Sequence, residues 1–290
     1  MTDKNVTHKS CYKWRSHFGV SIELVIGTIL FSLVIILIIY RTKFQTYDPY
    51  IGNLMDRFEP MGKNGHLLGT DNLGRDLWSR LLEGMRWSIS AATMATMTAF
   101  LTGSLVGLIA AQNNGWIRTA LNQVVDMALA FPHLIIAIIV VAVIGRGFWP
   151  LTLTLGLVSW PIFARVVYAE SLSLFERDYV IASRTFGASR WSILIGHIVP
   201  GLRPTLSVML AFHFADMLVA ESALSFLGLG APLGVPTWGN LLQQSRDYLF
   251  IAPWLMVVPA AGIIYAVFTV NLIGDGIAAQ ARRHGRRIDV

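Results

Sequence analysis

The sequence predicts an all-α polytopic membrane protein with six transmembrane helices, and three observations carry that prediction. Of 290 residues, 54% are hydrophobic and only 14% charged, where a soluble domain carries about 25% charged residues. The mean hydropathy is +0.56, and the apolar residues fall in long blocks. Six blocks, roughly 21–40, 88–111, 122–144, 150–168, 202–225 and 252–274, reach the length of about 20 residues that a helix needs to cross the hydrocarbon core.

The first block starts near residue 20 and lacks a small-residue cleavage site, so it is expected as a retained span and not a signal peptide. The loop over 41–87 holds YDPY at 47–50 and glycines at 62, 65 and 69. From Asp76 to Trp87, Leu77, Leu81, Leu82 and Met85 recur at near-helical spacing with Arg75, Arg80 and Arg86 interleaved, which predicts a short helix at the membrane interface. The second block is rich in small residues (Ala91, Ala92, Ala95, Gly103, Ser104, Gly107). Small residues let helices approach closely, so this helix belongs inside the bundle. Pro132, Pro161 and Pro259 lie within spans and predict kinks whose freed backbone groups the bundle satisfies.

Orientation follows from Lys and Arg. Six spans put both termini on one side, and that side carries twelve Lys or Arg against nine on the other, seven of the nine lying in the long 41–87 loop beside six acids. Long mixed loops weigh little in orientation, so both termini and the 169–201 loop are expected in the cytoplasm. The net charge of +6 is accounted for by basic residues beside spans and does not point to nucleic acid. Cys11 stands alone, which excludes an internal disulfide or a cysteine metal cluster. No HExxH, Gly-x-Ser-x-Gly or Walker A pattern occurs, which leaves no signature of an intramembrane hydrolase or of an ATP cradle on this chain.

Ionisable groups within the spans are functional candidates because they are expensive in lipid. Asp126, His133, Arg165, His213, Asp216 and Glu221 qualify. Arg165 is expected as an anchor or a helix-pairing group in preference to a solute ligand, and Asp126 as a partner for a coupling-loop arginine. At about 100° per residue Asp216 and Glu221 lie far apart around their helix, whereas His213 and Asp216 can share a face. These three are candidates for the translocation path or gate, against the simpler alternative of interhelical hydrogen bonds.

Residues 178–200, DYVIASRTFGASRWSILIGHIVP, are polar, centred on Gly187, and end at Pro200. Gly187 permits a turn between two helical pieces. Ile181, Phe186 and Trp191 offer apolar anchors, and Arg184, Ser189 and Arg190 a polar rim. The segment resembles the EAA signature of ABC-importer permeases, the loop that docks onto an ATPase. Ala182, Gly187 and Pro200 fit that pattern, while Ile181, Ser183, His197 and Val199 depart from it. Residues 69–82 (GTDNLGRDLWSRLL), 221–230 (ESALSFLGLG) with 237–242 (TWGNLL), and 271–276 (NLIGDG) resemble motifs of the dipeptide/oligopeptide/nickel permeases of the C type.

The resemblance implies a type I ABC-importer permease fold and a division into a cytoplasmic tail (1–20), a first span with external loop (21–87), a permease domain (88–276) and a basic cytoplasmic tail (277–290). That last tail, ARRHGRRIDV, departs from the usual family ending; its four arginines are read first as a simple positive-inside anchor, with contact to anionic lipid headgroups as the alternative. The resemblance also implies a second, B-type permease as a heterodimer partner, two ABC ATPases carrying ATP and Mg2+, and an external or periplasmic solute-binding protein. No cofactor or metal on this chain is implied, and the location is the bacterial inner membrane. ATPase coupling falls to Ile181, Ala182, Ser183, Arg184, Phe186, Gly187 and Arg190. Di- or oligopeptides are the first expectation for the solute. A nickel or metal–chelator complex is the alternative, and a secondary transporter the alternative class.

Overall fold

The computed structural model describes residues 21–232 and 234–288, with side chains as far as Arg282. The expected tail of residues 1–20, Cys11 within it, and the side chains of the basic tail beyond Arg282 lie outside the described residues. Everything described is helix, turn or loop: the protein is an all-α, polytopic membrane protein.

The chain opens with α1 (Ile22–Ile39) and a short α2 (Arg41–Phe44), then a compact loop region, then α3 (Leu77–Gln112). After α4 (Trp116–Leu129) and α5 (His133–Ile144) comes α6 (Phe148–Phe175). The short α7 (Asp178–Thr185) and α8 (Arg190–Ile193) lead through a π-helical turn, Leu194–Ile198, into α9 (Val199–Phe226). The short α10 (Trp238–Ser245) precedes α11 (Trp254–Ile288). Five helical runs are long and apolar enough to cross a membrane, namely α1, α3, α6, the α8–α9 run and α11, and a sixth is reached if α4 and α5 count as one broken crossing.

The third predicted span, 122–144, is therefore corrected: it is not one helix but two, bent by 83°. Pro132 is the cause. Its ring has no N–H to continue α4 and drives Phe131 out of helical geometry. α4 ends with the Ala130 amide donating to Asp126 O at 3.1 Å, and α5 restarts on the Pro132 carbonyl, which accepts from Ile135 N at 3.0 Å. Pro161 and Pro259 sit inside unbroken helices instead.

Small residues set the packing, as the second block foretells. A Cβ on Gly103 would lie 2.7 Å from Phe163 Cβ, on Gly107 2.9 Å from Val167 Cβ, and on Gly156 2.6 Å from Thr98 Cβ. These contacts advance together along both helices, so α3 and α6 run parallel and in close contact, and α4–α5 carry the chain back between their ends. α9 runs the other way, with His213 against Ser159 and Phe163. α1 and α11 are antiparallel, joined by Ser21 Oγ donating to Gly276 O at 3.0 Å and Tyr265 Oη donating to Leu30 O at 3.2 Å. The main core draws on α1, α3, α5, α6, α9, α10 and α11, with Leu82, Leu155, Leu218, Trp238 and Ala266 among its members.

The 76–87 stretch is helical as expected, but it is not a separate interfacial helix. Asp76 caps it, accepting from Ser79 N at 2.8 Å, and it continues without a break to Gln112. Its apolar residues Leu81, Leu82 and Met85 are buried in the protein core, so protein and not lipid receives that face. Arg80 is wholly buried. The preceding motif explains why. Asp71 accepts from its own turn, Leu73 N at 2.8 Å and Arg75 N at 3.0 Å, and from Arg75 Nε at 2.8 Å. It also lies 3.5 Å from Arg80 Nε. Both arginines donate to Gln244 Oε1 in the last turn of α10, at 3.3 and 3.1 Å. YDPY closes the same cap: Tyr47 stacks on buried His66, and Pro49 O accepts from Arg80 Nη1 at 3.4 Å. Removing one partner of a buried charge costs much, so these contacts hold the loop as a cap on one end of the bundle.

Candidate functional site

At the opposite end, residues 176–198 form a protruding elbow. α7 carries Asp178 in its first turn, where a carboxylate favours the helix N-terminus. It stops at Gly187, whose φ of +85° suits glycine. Ala188 N donates back to Ser183 O at 3.1 Å and Gly187 N to Arg184 O at 3.0 Å, the paired bonds of a Schellman cap. Ser189 then caps α8 by accepting from Ser192 N at 3.2 Å. The glycine turn between two helical pieces is thus present as the sequence predicts.

The elbow has an inner and an outer face. Val180, Ile193, Leu194, Ile198 and Leu202 pack with Val167 and Leu174 of α6 into a second buried cluster. Outward stand Phe186, 90% exposed, Trp191, 69% exposed, and Ile181, 49% exposed. The fold leaves these three large apolar side chains largely uncovered. Ala182, Arg184 and Arg190 are exposed on the same elbow. Ser183 points partly inward: its Oγ lies 3.1 Å from His197 Nε2, and the His197 ring packs on Tyr179 at 5.7 Å. Ser183 and His197 are two departures from the family pattern, and they touch each other. The π-helical turn that holds His197 is a feature that sequence reasoning missed. Such turns concentrate at functional sites, but no local composition announces one.

A second candidate region lies between α5, α6 and α9. His213 is buried, with Nε2 3.2 Å from Ser159 Oγ and its ring edge-on to Phe163. Asp216 is exposed. The two do not share a face as expected: one turns into the bundle and the other out of it. His133, at the start of α5, is the electrostatic neighbour of both. A cavity of about 330 Å³ opens at the α4–α5 break, lined by Ala128 to His133 and by Val158, Ser159, Pro161 and Ile162. Among the described residues, no three His, Cys, Asp or Glu side chains gather around a metal-sized site. Asp126 pairs with Arg165 of α6. This fulfils the helix-pairing role expected of Arg165 and corrects the expectation of a loop-arginine partner for Asp126.

Glu221 is fully buried. Its carboxylate accepts from Ser225 Oγ at 2.7 Å and Ser222 Oγ at 3.3 Å, with Ser88 of α3 as a third partner. Ser88 Oγ in turn accepts from Trp238 N at 3.3 Å. Glu221 therefore joins α9 to α3 and to the start of α10. Replacing Glu221 with Leu is expected to lower stability by about 1–3 kcal/mol for each hydroxyl left unsatisfied, and Glu221→Gln by much less because it keeps an acceptor. Thermal unfolding of the purified protein in detergent checks this; equal melting of both variants refutes it.

A bundle of parallel and antiparallel membrane-length helices that leaves an apolar elbow uncovered is the frame of a multi-pass membrane protein. The chain belongs to the family described as binding-protein-dependent transport system inner membrane component, which its residues 103–284 match. It is 33% identical over 276 residues to the glutathione transport system permease protein GsiD of Pectobacterium atrosepticum, covering 95% of this chain and 91% of that one. It is 38% identical over 256 residues to a putative peptide transport system permease protein of Brucella suis, covering 87% and 84%. Identity to the dipeptide transport system permease protein DppC of Alkalihalophilus pseudofirmus is 31% over 253 residues, covering 87% and 83%. Among solved structures, an inward-facing MetNI methionine ABC transporter matches with TM-score 0.58 at 17% identity, over 69% of this chain and 95% of that one. That likeness concerns the fold. The chain is a non-catalytic permease subunit of an ABC importer, multi-pass in the inner (plasma) membrane; catalysis belongs to a partner ATPase.

Proposed function

We propose that this permease carries di- or oligopeptides inward, driven through the Gly187 elbow by two ATPase subunits that bind ATP and Mg2+. The observation that carries the proposal is the pair of exposed aromatics, Phe186 and Trp191, on either side of a glycine hinge whose inner face is packed on α6 and α9. Such a knob fits a groove on a soluble partner and passes force to two spans at once. Ile181, Ala182, Ser183, Arg184, Phe186, Gly187 and Arg190 take the coupling role. The solute class rests on the peptide and glutathione permeases to which the chain is similar; the nickel and secondary-transporter alternatives draw no such support.

In this reading the chain makes six crossings, with α4 and α5 as one broken span. The parallel course of α3 and α6 supports it, since the chain between them must return. Ser21 at the start of α1 lies against Gly276 in the second half of α11, which supports termini on one side, read here as the cytoplasmic one. The domain division given by the sequence motifs is retained, with 169–201 as the coupling loop. A B-type permease completes the pathway as a heterodimer partner, and a periplasmic solute-binding protein delivers the peptide to the external cap.

The path itself runs past the α4–α5 break. Irregular backbone at membrane depth is tolerated where it lines a water-filled cavity or is buried in protein, and an exposed carboxylate in the middle third of a span does not face lipid. Asp216 and the 130–132 break meet both conditions, with His133 beside them and His213 behind; Glu221 holds the outer gate through α10. Reconstitution with the partner permease, ATPases and binding protein tests the whole reading: radiolabelled dipeptide must accumulate only with ATP. Asp216→Asn is expected to reduce accumulation about tenfold, equivalent to about 1.4 kcal/mol, with assembly unchanged. Normal uptake in Asp216→Asn and in His213→Ala removes both residues from the path.

A further inference from the structure

A cavity of about 520 Å³ lies between the elbow and the ends of α3, α4 and α6. It is a separate concavity from the α4–α5 break. Arg118 enters it from the first turns of α4, Arg184 from the last turn of α7 and Arg190 from the first turn of α8, with Glu176 as the single acid in its wall. Ala111, Leu172, Phe175 and Ile193 give it an apolar floor. Three arginines from three elements thus line one concavity that holds a single acidic residue. Arg118 commits only its Nε, which donates to Asn113 O at 3.0 Å. The side chains of Arg184 and Arg190 have no hydrogen-bond or ion-pair partner among the described residues, and the Glu176 carboxylate pairs with none of the three arginines.

Like charges gathered in one concavity repel, and its low-dielectric walls focus their field on any anion that enters. The guanidinium fork matches phosphate oxygens two at a time. The volume is in the range of small-molecule sites. Exposed Trp116 stands two residues from Arg118, in the manner of interfacial aromatics.

We infer that this cavity binds a phosphate-bearing anion, clamped between Arg118 on the spans and Arg184 and Arg190 on the elbow. Two sources share that chemistry, the headgroup of an anionic phospholipid and a free phosphate. Binding depends on the cavity alone. Its consequence rests on the coupling role proposed above: an anion that ties both sides of the Gly187 hinge to α4 stiffens the element that transmits the ATPase stroke.

The assembled transporter, permease pair with ATPases, is purified as wild type, Arg118→Gln and Arg118→Lys. Native mass spectrometry after delipidation reads retained phosphatidylglycerol. Equilibrium binding in phosphatidylcholine nanodiscs reads labelled inorganic phosphate, and the ATPase sites, common to all three proteins, cancel in the difference. Arg118→Gln is expected to lose about tenfold in affinity, and Arg118→Lys less, because it keeps the charge without the fork. Loss in the lipid arm identifies a headgroup, and loss in the phosphate arm a free phosphate. If neither arm changes between wild type and both variants, the inference is wrong, whether or not the complex still transports peptide. An acidic ATPase side chain crosslinked to position 118, with neither anion bound, also overturns it.

Discussion

Replacing Phe186 and Trp191 together with aspartate is expected to abolish uptake while leaving the permease folded and in the membrane. Phe186 is 90% exposed and Trp191 69% exposed, so neither side chain holds the chain together, and exposed substitutions of this kind stay within about 0.5 kcal/mol of wild type. Aromatic anchors at the centre of an interface are worth about 2 kcal/mol or more each, and two together amount to roughly a thousandfold in affinity for the ATPase. The expected result is loss of ATPase copurification and of ATP-driven accumulation, with unchanged permease yield. Gly187→Ala separates contact from conformation. A Cβ there meets no atom within 4 Å, yet a φ of +85° costs a non-glycine residue about 1–2 kcal/mol. It should weaken coupling without removing any anchor. Full uptake by the double aspartate variant would take the elbow out of the coupling mechanism.

The elbow was legible in the sequence because its logic is local. Gly187 sits between two short helical segments, and the apolar residues that do not continue the inner-face pattern must point out. The spans were legible for a similar reason: hydrocarbon thickness dictates their length, so apolar blocks reveal them. What escaped were features made by residues far apart. Pro132 was visible, but the unbroken apolar run around it hid a bend of 83°, because hydropathy does not register direction. Asp126 was matched to a coupling-loop arginine, whereas α6 brings Arg165 to it. Ser183 and His197 each looked like erosion of the family pattern; only the fold brings their side chains to 3.1 Å. The leucines at 77–82 signalled an amphipathic helix, but which medium covers its apolar face depends on α9, α10 and α11, and no local periodicity carries that information.

The same non-local logic makes Trp238→Ala the most damaging single substitution expected outside the elbow. α10 is only eight residues long, and nothing in its composition sets it apart from a surface turn. Yet Trp238 is 1% exposed. Its Nε1 donates to Leu81 O at 3.2 Å and its backbone N–H to Ser88 Oγ at 3.3 Å. A Cβ on Gly262 would lie 3.4 Å from the indole, and one on Gly84 3.3 Å from the Trp238 nitrogen, so α3 and α11 both close around it on glycine. Gly239 lets α10 lie against α9: a Cβ there would lie 2.5 Å from Ser225 Cβ and 3.0 Å from the Ser222 carbonyl carbon. Truncating a buried tryptophan costs about 3–5 kcal/mol, and the tight glycine contacts leave the neighbours little freedom to collapse into the space. Trp238→Phe keeps most of the buried area and forfeits the Nε1 bond, about 1 kcal/mol. Thermal unfolding in detergent should therefore rank wild type, Phe and Ala in that order with the larger gap before Ala. Because Ser88 links this residue to Glu221, Trp238→Ala combined with Glu221→Leu should destabilise by less than the sum of the two, as neighbours in one network do. Strict additivity would mean that α10 and the Glu221 cluster are independent props, and that the loop cap is not held to the span core through Ser88.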